Sequence, residues 1–526
     1  MPVSLLANFN EFSAATVLEP SPSKVNRGFQ ERKETVLRCD EPGEWDLYID
    51  DERIPYIRSG GSTSWRWSPN FFAGTVAAEL VEKQGELGTQ FLLDVSPDPS
   101  KLGQQVYNQM VEEICEFDVG MILGNEPATI PIGKAGNTED LAVRLARMMR
   151  HRKAFLSALR SIEEHPDRTI RQSRILVNPS GLRKVDAQTI RSSITSGAAF
   201  SMKCVSGSPS PLTAKQPFFD VPVSEETMDS PANRALLALM NALAASGKRI
   251  IARFDKEAEK ESDEFNTPMK DRWPRRKAMI NKFLGELAFF RDRNPLRAVS
   301  RPELSSAGLT ALSANPRYAR ARSVAWNILR PGFTGSTTHE ISWMSPTWHV
   351  YEAWCMVRLC KALRDGIPEL EWREHRNKTA DYCYEGTQEG RRLVLHYQPT
   401  FTYEQNSDKS EYHSISAEFR PDVVISMDGV ASNRWMVLDA KYSCSRQSIL
   451  SQMKSAHYYH DALRRGNKPP DMSLLLVPTS DAEPAWLQDV SFHEAHGVGV
   501  TAFSPDHAFE NRLVAMARNT LGLAPL

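Results

Sequence analysis

No stretch of this sequence is apolar for long enough to read as a membrane span. The longest uninterrupted runs, such as Met472 to Val477, fall far short of the ~20 residues a bilayer requires. Met1 to Asn10 carries no positive charge ahead of an apolar stretch, so no export signal is expected. Cysteine is sparse and unpaired in pattern. Cys39, Cys115, Cys204, Cys355, Cys360, Cys383 and Cys444 form an odd, scattered set without a C-x-x-C pair. That argues against a disulfide framework or a cysteine zinc site, and for a reducing, cytoplasmic setting. An excess of either charge is also missing. The 526 residues carry 64 Lys+Arg against 65 Asp+Glu, a net of −1. This excludes a polycation that coats nucleic acid, although not a local basic face. With 41% hydrophobic and 25% charged residues, the chain is too apolar and too balanced to be disordered.

Two motifs are present only as fragments. Gly133-Lys134 suggests a phosphate loop, but Ala128 stands where its first glycine belongs and Ala135 where Ser or Thr would bind magnesium. The chain is not expected to hydrolyse a nucleotide by itself. His493-Glu494-Ala495-His496 spaces its histidines at i, i+3. A zinc-binding H-E-x-x-H needs i, i+4 to put both on one helical face. A polar loop is expected there.

The length corresponds to roughly three or four domains of ~150 residues, and the pattern predicts a multidomain α+β chain. Residues 1–135 read as a β-rich domain. Short alternating stretches at 44–49, 75–80 and 90–95 lie between Gly, Pro and Ser punctuation, and a helix is predicted over 101–116. Residues 136–339 read as mainly helical, with long patterns over 139–164, 231–258 and 272–290. A Ser- and Pro-rich loop over 206–222 interrupts them. Residues 340–526 read as an α/β domain. A helix over 348–363 precedes strands at 392–401, 414–419, 423–427 and 435–442. A helix over 448–463, strands at 473–477 and 499–503, and a C-terminal helix from 505 follow.

The chemistry concentrates in Arg420-Pro421-Asp422-Val423-Val424-Ile425 and Met436-Val437-Leu438-Asp439-Ala440-Lys441-Tyr442. Both are apolar strands with charges at one end, joined by the turn Asp428 to Asn433. A hairpin symmetric about that turn sets Asp422 opposite Asp439. Side chains alternate along a strand, so Asp439 and Lys441 share a face. Two carboxylates and an ammonium then converge. Adjacent carboxylates repel unless a cation neutralises them, and a hard divalent ion such as Mg2+ does so with carboxylate, water and phosphate oxygens. The alternative is an ordinary strand-end ion pair. Glu352 lies on an otherwise apolar helix, in Trp348-His349-Val350-Tyr351-Glu352-Ala353-Trp354. Gln452 and Tyr459, seven apart, share a helical face beyond Lys441.

Glu352, Asp422, Asp439-Ala440-Lys441 and Gln452 resemble the motifs of the PD-(D/E)xK nuclease superfamily. Its α-β-β-β-α-β core is the order read above. The resemblance is closer to the McrC-like branch of restriction and phage-defence proteins. Tyr351 to Trp354, Arg420 to Asp422 and Tyr459-His460-Asp461-Ala462 are similar to it. So are Pro69 to Gly74, Asp94 to Asp98 with Lys101, Tyr107 and Met110, and Asp229 to Arg234. The resemblance implies a restriction-endonuclease-like C-terminal domain. Asp422, Asp439 and the Ala440 carbonyl would be ligands for Mg2+ (or Mn2+), Lys441 the catalytic lysine, Glu352 an accessory carboxylate, and Gln452 a further site residue. It also implies a separate AAA+ NTPase that the N-terminal part docks, and it is compatible with a dimer of nuclease domains. DNA would be the substrate. A non-catalytic scaffold that binds DNA or regulates an AAA+ ring is the alternative. Residues 144–184 hold eleven basic against three acidic residues, a local net of +8. Arg144, Arg147, Arg150, Arg152, Lys153, Arg171 and Arg174 in this segment are candidates for tracking DNA phosphates. A solvated helix face or a contact with an acidic partner would give the same pattern.

Overall fold

A computed structural model of the chain describes residues 4–9, 14–20, 25–59, 62–83, 88–122, 129–132, 141–195, 218–260, 269–330, 340–377, 380–403, 411–430, 432–478, 485–505 and 509–524. Most of the 206–222 segment, and of the stretch around Gly133-Lys134, lies outside them. The chain forms two compact units. One comprises Met1–Ala146, Ala258–Arg275 and Pro331–Leu526, the other Arg147–Glu257 and Arg276–Arg330. The β-rich start and the α/β end of the chain therefore share one unit.

Alternation builds the β-rich part. In Thr35–Cys39 and Trp45–Ile49 every second residue is buried, as a half-buried strand requires. The buried set, including Leu37, Leu47, Trp65, Phe91 and Leu93, forms one core between the sheets. The strands expected at 44–49, 75–80 and 90–95 are Trp45–Ile49, Gly74–Glu82 and Thr89–Ser96. Helix α1 (Gly103–Asp118) leaves this β layer. Its Tyr107, Met110, Val111 and Ile114 join the core built on helix α2 (Thr347–Gly366).

The C-terminal sheet has seven strands in sequential order: β1 (Glu371–Asn377), β2 (Ala380–Gln388), β3 (Arg391–Tyr397), β4 (Val423–Asp428), β5 (Asn433–Ala440), β6 (Met472–Val477) and β7 (Val498–Ala502). Pairing is antiparallel from β1 through β5 and parallel from β5 to β7. Helix α3 (Arg446–Ala462) connects β5 to β6, and helix α4 (Phe509–Leu521) closes the chain. Both faces are covered, so the central strands are apolar throughout. Leu474 and Leu476 face the core of α2 and α4, while Leu475 and Val477 face Ile449, Met453 and Ala456 of α3. Strands β1 and β2 were not anticipated, because Glu371–Asn377 is rich in charge and reads as a loop. The strand expected at 414–419 is only Tyr412–Ser414, with a separate bridge from Phe401 to Phe419.

The second unit is not wholly helical. Thr169–Val177 pairs with Phe219–Thr227 in a two-stranded ribbon. Pro222 hides the second strand from sequence reading, yet an edge position tolerates a missing N–H. The segment Asp229 to Arg234 has a structural role in this unit. Arg234 makes a two-pronged pair with Asp229 (2.6 and 2.7 Å). Asn233 accepts from the Tyr318 hydroxyl (2.6 Å) and donates to the Asp167 and Met228 carbonyls.

Two expectations are corrected. The stretch Pro231–Lys256, of mean hydropathy 1.3, is long and apolar enough to cross a membrane by length and composition. Uninterrupted runs missed it because its apolar residues are interleaved with polar ones. Leu236, Leu243, Ile250 and Phe254 are buried, so it has the face of a core helix, which passes the same test. The expected polar loop at His493-Glu494-Ala495-His496 is the end of a short helix, Val490–His496. Asp489 caps its start, and Gly497 ends it in the left-handed conformation (φ 66°). His493 is buried, with its ring Nε2 2.7 Å from the Leu487 carbonyl, and burial lowers its pKa.

One buried ion pair ties the β-rich part to the start of α2. Lys101 Nζ lies 3.6 Å from Glu31, with side chains 5% and 0% exposed. Glu31 also accepts from Thr347 Oγ1 (2.7 Å) and from the Asp98 N–H (3.1 Å). The ammonium stands 4.1 Å from the centre of the Tyr442 ring, next to Lys441 in sequence. Removing one partner of such a pair leaves the other charge buried. We expect Lys101→Met to cost about 3 kcal/mol, the low end for a broken buried pair, because Thr347 and Asp98 still solvate Glu31. Urea denaturation reads this, and an unchanged midpoint would show that the pair contributes nothing.

Candidate active site

The register of β4 and β5 brings the carboxylates together. Val423 pairs with Leu438 and Asp428 with Asn433, the symmetric pairing that the turn implies. One step further, Asp422 Oδ2 accepts from the Ala440 N–H at 2.8 Å. Asp422 and Asp439 are 8% and 1% exposed. Lys441 Nζ sits 2.9 Å from Asp439 Oδ2, as expected for residues two apart on one strand face. Helix α2 supplies Glu352, also buried. That helix is fixed by its neighbours in sequence. Tyr351 donates to the Phe503 carbonyl (2.9 Å), and Trp354 Nε1 to Glu113 of α1 (2.9 Å).

Helix α3 covers the same point. Its Ser455 hydroxyl lies 2.8 Å from Asp439 Oδ2. Gln452 Oε1 is buried and has no hydrogen-bond partner among the described residues. Tyr459 packs edge-on against Phe419 (5.9 Å between ring centres). Its phenol pKa is raised, first by burial and then by the charges of Asp439, Asp422 and Glu352. Ser455 was missed in the sequence, although 452, 455 and 459 follow the three- and four-residue steps of one helical face.

Three carboxylates here face one ammonium. Burial pushes Glu352 up to about 8, with Asp439 adding to the shift and Lys441 opposing it. Asp422 is raised well above the usual carboxylate range by burial, then by Asp439 and Glu352. Burial pulls Lys441 down, but the charges of Asp439 and Asp422 outweigh it and the net shift is upward. The cluster lacks positive charge, which a divalent cation would supply.

Residues 349–473 match the family model of the PD-(D/E)XK nuclease superfamily. The matched segment spans Glu352, Asp422, Asp439, Lys441 and Gln452. No curated protein matches the chain. Among solved structures the chain is similar to a polysaccharide lyase, at 10% identity and a TM-score of 0.14, over 68% of this chain and 55% of that one. The chain thus spans little more than half of that protein's length, and a likeness of this score carries no argument.

PD-(D/E)XK nucleases generally use divalent metals. Among the described residues, no three His, Cys, Asp or Glu side chains are grouped closely enough to hold one unaided. The donor chemistry still fits a hard cation. Asp439 directs both Lys441 and Ser455 to Oδ2, which leaves Oδ1 outside both contacts and beside the Asp422 carboxyl. Asp422 likewise commits Oδ2 to Ala440.

The basic segment divides between buried and exposed side chains. Arg144 and Arg147 are buried, and Arg147 Nη1 donates to the Arg330 carbonyl (2.8 Å). Arg174 is held by Asp186 (2.8 Å), Asp220 (2.9 Å) and Thr189 (3.0 Å). Arg152 donates to the Met149 carbonyl and contacts Met279 Sδ. Arg147, Arg152 and Arg174 thus make contacts within the chain, and Arg144 is buried. Arg150, Lys153 and Arg171 are exposed.

Proposed function

We propose that this chain is a Mg2+-dependent DNA endonuclease subunit (Mn2+ also serving) of a McrBC-like restriction or anti-phage defence system in the cytoplasm. A separate AAA+ NTPase would supply the motor. The observation that carries the reading is the convergence of Asp422, Asp439, Lys441 and Glu352 at one end of β4 and β5. The fragmentary phosphate loop supports placing nucleotide hydrolysis on another chain. Asp422 and Asp439, with the Ala440 carbonyl, would hold the cation. When bound, it would polarise the phosphodiester and acidify a water. Lys441 keeps its proton and presents positive charge where the pentavalent phosphorane develops. Glu352, with its pKa near neutrality, can hold or take a proton beside them. Of the basic segment, Arg150, Lys153 and Arg171 remain the candidates for phosphate contact. Two nuclease domains would pair to cut both strands.

The test is plasmid DNA with the purified chain and Mg2+, alone and with whatever AAA+ protein is encoded beside it. We expect wild type to cut and Asp439→Ala not to. Equal cutting by both removes the catalytic assignment. DNA binding without cutting by wild type under every partner and DNA condition favours a scaffold.

A further inference from the structure

Ser455 lies outside the motifs that define the site, yet it touches the most buried carboxylate in it. Its Oγ is 2.8 Å from Asp439 Oδ2 and 2.8 Å from the Gln452 backbone carbonyl. A helical serine ordinarily bonds back to the carbonyl three or four residues earlier. A hydroxyl has one proton to give, and an ionised carboxylate is the stronger acceptor. The proton therefore goes to Asp439 when that group is charged. The helix that carries Ser455 is rigidly placed, because Ile449, Met453 and Ala456 pack against Leu475, Val477, Val498 and Val500.

Asp439 Oδ2 also receives Lys441 Nζ at 2.9 Å. Both donors thus hold the same oxygen, from opposite elements of the fold. A carboxylate pinned this way cannot rotate about its last bond without losing both contacts. Its other oxygen, Oδ1, is engaged by neither of these two donors and lies on the side of the neighbouring Asp422 carboxyl. We propose that Ser455 is a positioning residue that fixes the Asp439 carboxylate so that Oδ1 is presented to a divalent cation. The inference rests on the metal-dependent reading above, and it assigns the orientation of Asp439 to a residue on α3 as well as to Lys441. Groups that orient a metal ligand typically contribute ten- to a hundredfold in affinity.

The experiment is calorimetric titration of the full chain with Mn2+ and with Mg2+, without DNA. Ser455→Ala is expected to raise the dissociation constant about tenfold, the lower end for such a contact. Ser455→Cys, which keeps the volume with a weak donor, is expected to behave the same way. Ser455→Thr keeps the hydroxyl and is expected to recover affinity to within about threefold, well inside the loss expected for a missing orienting group. Thermal midpoints and circular dichroism check that each variant is folded. If Ser455→Ala fails to fold, Ser455→Cys carries the comparison. Unchanged affinity in the Ala and Cys variants overturns the proposal, as does an equal loss in the Thr variant. If wild type binds neither ion, with or without DNA, the metal-dependent reading itself fails and the inference falls with it.

Discussion

Lys441→Ala is expected to lower plasmid cleavage in Mg2+ by about a thousandfold, within the range for losing a charged group at a developing anion. Asp439→Ala should cost at least as much, because it removes both a proposed cation ligand and the partner of Lys441. The two variants should separate in stability. Asp439 is 1% exposed and pairs with Lys441 at 2.9 Å. Lys441→Ala leaves that carboxylate without its cationic partner, so the variant should be destabilised in EDTA, and Mg2+ should restore more stability to it than to wild type. Asp439→Ala removes the carboxylate and should gain little from Mg2+. Lys441→Arg is not expected to rescue. A guanidinium is planar and longer, and it cannot place a point charge on the same oxygen. A Lys441→Ala enzyme that retains even a tenth of wild-type cleavage would be incompatible with the role given to the lysine.

Much of this site was legible because its signal is local. The hairpin register followed from a six-residue turn between two apolar strands, and Val423 indeed pairs with Leu438. The alternation rule put Asp439 and Lys441 on one face, and they form an ion pair. Contacts made across the fold were not legible in the same way. Ser455 is a common residue on a helix face, and only tertiary placement brings it to Asp439. Glu31-Arg32-Lys33 has the same D/E-x-K spacing as Asp439-Ala440-Lys441, but spacing alone does not make a site. In the fold Glu31 pairs with Lys101 and Thr347 instead. The basic stretch from 144 to 184 shows another limit of linear reading. Charge counting cannot tell a surface arginine from one such as Arg147, buried and bonded to a carbonyl, or Arg174, held by two aspartates. The β-rich start and the α/β end looked separate because linear composition carries no record that α1 packs on α2.

In metal-free buffer the protein should become less stable as pH rises from about 5 to 8, a direction fixed by the two raised carboxylates. Glu352 is pushed up to about 8 by burial and by Asp439, against the pull of Lys441, and Asp422 is raised for the same reasons. Between the ordinary carboxylate range and these raised values, the unfolded chain has lost these protons while the folded chain still holds them. The folded state then binds more protons, and stability falls with pH. Each group contributes a slope of at most about 1.4 kcal/mol per pH unit while it stays protonated in the fold and ionised outside it. Lys441 is protonated in both states throughout this window, because its folded pKa is raised, so it adds no slope. Glu352→Gln imitates the protonated acid. It should flatten the dependence and be more stable than wild type above about pH 7, where wild type carries the linkage penalty. A divalent cation favours the ionised carboxylates and so displaces the protons. Mg2+ should therefore raise the thermal midpoint more at pH 8 than at pH 5.5, and calorimetry in buffers of different ionisation enthalpy should show protons released on binding. A thermal midpoint that is flat or rises across this range in EDTA, or a slope unchanged by Glu352→Gln, would mean that the carboxylates are not held protonated in the fold.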